Sequence, residues 1–93
     1  EFLGAYETEP LSNDERFTLM ETIIQSFAES EADLSTDHRW VRVMSALDQN
    51  INLHIYSVWY WSDLENEIDE RSWNVTGYMR QILERHRNDY TSA

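Results

Sequence analysis

Five carboxylates, Asp63, Glu65, Glu67, Asp69 and Glu70, fall within eight residues and have no base among them. The positions 63, 65, 67 and 69 match offsets 1, 3, 5 and 7 of a calcium loop. That chemistry also requires a glycine at the sixth position and a bidentate glutamate at the twelfth, where this chain has Ile68 and Asn74. The run therefore offers negative potential, and at most weak, unselective cation binding. Immediately before it stand Tyr56, Trp59, Tyr60 and Trp61, four large rings in six residues. On a helix, side chains at i, i+1 and i+2 point in different directions, so these rings cannot all face inward. At least one or two reach the surface, and Tyr and Trp are among the residues most enriched at binding hot spots. Aromatic anchors beside carboxylates suit a basic protein partner. The plainer reading keeps the rings wrapped around a small core and the acids as a solvated turn.

Other chemistries lack their residues. Gly4 and Gly77 are the only glycines, so no phosphate-cradling loop exists, and no G-x-S-x-G elbow frames a nucleophile. His38, His54 and His86 share no metal-ligand spacing, and His86 on an apolar face reads as a hydrogen-bonded core residue. The absence of cysteine excludes disulfides and thiolate chemistry and fits a reducing, cytoplasmic compartment. Paired carboxylates such as Glu65 and Asp69 are the one enzymatic option, and nothing beyond the abundance of acids supports it. No catalytic residue, metal or cofactor is expected.

Charge narrows the partner class. Net charge is -11 over 93 residues, and lysine is absent. The first 37 residues carry ten acids against one cation, Arg16. A surface this negative repels nucleic acid and anionic lipid and attracts basic proteins. An acidic first third also suits a DNA mimic, a solubility device or a high-salt organism.

The elements that position these residues follow from periodicity. At 93 residues the chain makes one domain, burying roughly 60–65% of its unfolded surface. Residues 1–11, punctuated by Pro10, read as a lead-in, and a start at Glu1 without a leader reads as a trimmed or mature fragment. Ser12-Asn13-Asp14-Glu15 is a capping box opening a helix over 13–29. Phe17, Met20, Ile24 and Phe27 form its stripe, with Asp14, Thr18, Glu21, Gln25 and Glu29 on the opposite side. A second helix over 36–48, capped by Ser35 or Thr36, buries Trp40, Val43, Met44 and Leu47. Residues 51–61, INLHIYSVWYW, fit a strand by alternation and a helix equally well. A lone strand needs a partner, and none longer than Phe2–Tyr6 is available, so a third helix is expected near 51–62. Thr76 then caps a last helix over 76–88, with Tyr78, Met79, Ile82, Leu83 and His86 inward. No run approaches the roughly 18 apolar residues that a membrane span needs. The expected fold is an all-α bundle of about four helices.

In this order the chain resembles the colicin-type DNase immunity proteins, which are acidic four-helix domains of similar length. The likeness rests on the capped first helix (Leu11 to Phe27), the second after a Ser/Thr-acid start (Ser35 to Asp48), the short aromatic third element and the acidic connection. A final helix with basic residues completes it. The family's paired tyrosine in a D-L-I-Y-Y type stretch has its nearest match in Leu53-His54-Ile55-Tyr56, with Trp59-Tyr60 following. The adjacent pair and its following proline are absent, and Arg39 and Arg42 stand on the second helix where acids are expected. The resemblance implies an inhibitor that covers a basic nuclease, with Tyr56 or Tyr60 as its anchor. The functional expectation is thus a non-enzymatic domain that binds a nuclease toxin or DNA-binding protein. The alternative is an assembly module that pairs as a homodimer through 51–61.

Overall fold

The helix opened by the capping box shows the link from sequence to structure most directly. In a computed structural model, which describes residues 2–30, 33–69 and 72–87, Ser12 precedes a helix spanning Asn13–Ala28. The Ser12 hydroxyl accepts from the Glu15 amide at 3.2 Å, and the Glu15 carboxylate accepts from the Ser12 amide at 3.0 Å. Two amides that a helix start leaves without partners are thereby satisfied.

Numbered in chain order, the helices are α1 (Phe2–Thr8), α2 (Asn13–Ala28), α3 (His38–Gln49), α4 (Ile51–Ser62) and α5 (Thr76–Arg85), with a 3-10 turn at Leu34–Thr36 before α3. The described residues contain no strand, and the protein is an all-α single domain. No helix among them is long and apolar enough to cross a membrane.

Three expectations need correction. The lead-in contains a helix: α1 buries Leu3 and Tyr6, one turn apart, against the rest of the core. Ser35 and Thr36 lie in the 3-10 turn, whose own cap is Asp33, and α3 is capped by Asp37, which accepts from the Arg39 amide at 2.9 Å. Asp serves as well as Ser at this position, and the turn buries Leu34 at the cost of moving the start of α3 two residues on. Thr76 does not cap α5; it is the first helical residue, and its hydroxyl donates to the Trp61 carbonyl at 3.0 Å.

The core is one cluster. Met20, Ile23 and Ile24 of α2 meet Trp40, Val43 and Leu47 of α3, Ile51, Val58 and Trp61 of α4, and Met79 and Ile82 of α5. α4 and α5 form the most extensive helix pair. Asn50 alone separates α3 from α4, and its side-chain amide donates to the Ala46 carbonyl at 3.1 Å, closing the end of α3.

Candidate functional site

Helical geometry decides which of the clustered rings are available. With about 100° between successive residues, Tyr56, Trp59 and Tyr60 fall within one arc of about 100°. Ile51, His54, Ser57, Val58 and Trp61 occupy the opposite side and are buried. The three outward rings are 61%, 52% and 50% exposed. They form a continuous aromatic stripe along α4, with Tyr56 and Trp59 in tilted contact at 6.1 Å between centroids.

Along one flank of the stripe, α4 and α5 leave a groove of about 620 Å³. Ile55, Tyr56, Trp59, Leu64 and Leu83 are its apolar lining, with Glu84 of α5 and His86 and Arg87 just past its end. Along the other flank, Tyr60 stacks with Trp73 at 5.9 Å, and Trp73 meets Trp61 edge to face at 4.7 Å. Trp73 is a candidate contact that sequence reading misses; a tryptophan isolated in a polar connection has no periodic signal.

Trp61 is the correction within the proposed set. It is buried, and its indole N–H donates to the Glu21 carboxylate at 3.1 Å, so it supports the surface from behind. Glu21 therefore does not line the solvent side of α2. Its other oxygen accepts from the Ser57 hydroxyl at 2.9 Å, which makes it the polar clasp between α2 and α4.

The acids follow the stripe in the chain, past the end of α4. Asp63 adopts the left-handed conformation (φ 47°) that ends the helix and accepts from the Asn66 side chain. Glu65, Glu67 and Asp69 are exposed. Glu65 and Glu67 have no ion pair with any described residue, so their charge is available to a partner. Glu70 lies outside the described residues.

One arginine sets the position of this acidic turn. Arg80 of α5 donates to the carbonyls of Ser62 at 2.7 Å, Asp63 at 2.6 Å and Asn66 at 2.6 Å. The Ser62 carbonyl is one that the end of α4 leaves without a helical partner, the other two belong to the turn, and a cation there also complements the helix dipole. Asn74 does the same for α2, donating to Phe27 and Ser30 at 2.9 and 3.1 Å. Arg80→Met is expected to cost about 2–3 kcal/mol, since several charge-assisted bonds are lost together and part-buried carbonyls are left open. Arg80→Lys restores only part of it, because an ammonium cannot span three acceptors as a guanidinium fork does. Urea unfolding measures both, and a loss below about 0.5 kcal/mol for the Met variant would contradict the assigned role.

Behind the surface lies a buried polar pair. The Tyr6 hydroxyl and His54 Nε2 are 2.6 Å apart, and His54 is fully buried. Burial holds the imidazole pKa down to about 4; Glu21 opposes that shift and Arg16 reinforces it. Burial likewise raises the Tyr6 phenol, against the lesser effect of Arg16. His86, by contrast, is only partly buried and meets Asp48 of α3 at 2.9 Å, beside the Arg85–Asp48 ion pair at 2.6 Å.

Among the described residues no group of three or more His, Asp or Glu side chains is placed to hold a metal ion. No protein-family model, curated protein or solved structure matches the chain.

Proposed function

We propose that this chain is a protein-binding domain that engages a basic partner through the outer face of α4 and the acidic turn that follows it. The observation that carries this reading is the outward stripe of Tyr56, Trp59 and Tyr60, followed in the chain by the exposed Glu65 and Glu67. Large rings provide buried anchoring area at little entropic cost, and carboxylates beside them supply long-range attraction and orientation. A nuclease toxin or a DNA-binding protein presents the required basic surface. The action is then occlusion: the negative field speeds encounter, and the buried rings slow release. No step of chemistry is needed.

The test is affinity capture at low salt from a lysate of the source organism, eluted by a salt gradient, with three baits compared. The wild type is expected to retain one basic protein and release it at a defined salt step. Glu65→Gln with Glu67→Gln is expected to move that release to lower salt, because only the long-range term is weakened. Trp59→Ala is expected to cost about 2 kcal/mol or more, roughly a thirtyfold loss of affinity, with the helical circular dichroism unchanged. Equal retention by all three baits would refute the proposed surface. Recovery of the chain alone, with association that depends on its own concentration, would replace this reading with a homodimer formed through 51–61.

A further inference from the structure

Arg16 is the one cation among the first 37 residues, in the company of ten acids. None of the described carboxylates lies within ion-pair distance of it, and its Nε is buried with no hydrogen-bond acceptor. The guanidinium sits 6.0 Å from the centre of the Tyr6 ring. It lines an open recess of about 250 Å³ bordered by α1, α2 and α3. Arg42, on α3, lines the same recess and forms a two-pronged ion pair with Glu7 of α1. Arg16 and Arg42 thus bring two guanidinium groups to one recess of a chain of net charge -11.

The neutral side chains around it are donors. Ser45 accepts from the Gln49 amide at 3.0 Å, so its own hydroxyl proton is left to donate. The Asn50 amide uses one N–H on the Ala46 carbonyl and has a second. Arg16 as a whole is half-buried and lines the recess, and a guanidinium presents five N–H groups suited to oxyanions. The geometry points to a small-oxyanion site in this recess, with Arg16 as the principal donor, Arg42 as the second and the Ser45 hydroxyl orienting the ligand. The ligand class is a free carboxylate or phosphate of single-ring size or less, set by the volume of the recess. The site faces the side of the fold built from α1–α3 and is separate from the aromatic stripe of α4. The overall negative charge opposes entry at long range, so affinity comes from contacts inside the recess and is best measured near 0.15 M ionic strength, where the Debye length is about 8 Å.

The experiment follows the arginine Nε–Hε resonances by NMR while sodium phosphate, or separately sodium acetate, is titrated into the full chain at constant ionic strength against sodium chloride. The Arg16 resonance is expected to shift saturably, with a millimolar or tighter dissociation constant, while Arg39 and Arg85 move little. Saturation by phosphate alone identifies a tetrahedral oxyanion and by acetate alone a carboxylate, and either supports the site. Arg16→Gln is expected to abolish the saturable shift at Arg42. Ser45→Ala, at an exposed position that leaves the fold intact, is expected to weaken binding about fivefold. Shifts that are linear and equal across all arginines, or unaltered in Ser45→Ala, would overturn the proposal.

Discussion

Acidification from pH 7 to pH 4 is expected to remove about 3 kcal/mol of the stability that His54 permits at neutral pH. The unfolded imidazole titrates near 6.5, and burial in the fold holds it down to about 4. Between those values the unfolded chain binds the extra proton, so stability rises with pH and is lost as pH falls through the same window. A shift of about 2.5 units corresponds to roughly 3 kcal/mol. The groups facing the ring are Tyr6 of α1, Arg16 and Glu21 of α2 and Ser57 one turn along α4. Glu21 attracts the proton and Arg16 repels it, but desolvation outweighs both. Carboxylates titrate on acidification too, relieving repulsion across a chain of net charge -11 but losing the contacts that favour ionised Glu7, Glu15, Asp33 and Asp37, so the comparison must be with a variant. His54→Gln keeps a hydrogen-bonding partner for Tyr6 and cannot titrate. Urea unfolding at pH 7, 5.5 and 4 is expected to show the wild type losing about 3 kcal/mol relative to this variant. Parallel pH profiles would contradict the assignment.

Trp40→Ala is expected to be the most destabilising single change in the core. The indole is 1% exposed and stands between Phe27 of α2 at 5.2 Å and Tyr78 of α5 at 5.6 Å. One side chain on α3 therefore holds three helices together. Truncation removes both ring contacts and leaves a cavity among elements tied by other contacts, for a loss of about 3–5 kcal/mol. Domains of this size have total stabilities of about 5–15 kcal/mol, so the variant sits near the edge of folding. Its indole N–H has no acceptor in the wild type, so Trp40→Phe forfeits no hydrogen bond and is expected to cost clearly less. Thermal unfolding followed by circular dichroism distinguishes them. A drop of at least 10 °C is expected for Ala at 4–8 °C per kcal/mol, and a drop below 5 °C would show that the helices close over the gap.

Much of the fold was legible because its signals are local. The Ser12–Glu15 box and the Phe17–Phe27 stripe needed only neighbouring residues to define α2, and the expected 51–62 segment coincides with α4. The expected 76–88 helix is found at Thr76–Arg85. What escaped depends on distant partners. α1 has seven residues, too few to display a period, and is held by contacts to residues dozens of positions away. Glu21 and Trp61 were assigned by local character to a solvent face and a partner surface, yet each finds the other across 40 residues of chain. Asp33 and Asp37, rather than the neighbouring hydroxyls, provide the caps before α3; several good capping residues in a row make the start ambiguous. The exposed rings were readable from crowding alone, because six consecutive helical positions cannot bury four of them. Which three face outward required the helix axis and the core.

The Tyr6–His54 contact also has a consequence in time. Its two residues are separated by 48 positions. At a synthesis rate of about 5–20 residues per second, α1 emerges roughly 2–10 s before the ring that receives it. An isolated helix of seven residues does not persist in water, so during that interval α1 depends on its packing against α2. The Tyr6 hydroxyl and the side of α2 that meets α4 wait for their partners until α4 has been made. The Tyr6 side of this contact is thus made seconds before its partner, and the pair closes only after α4 has been synthesised.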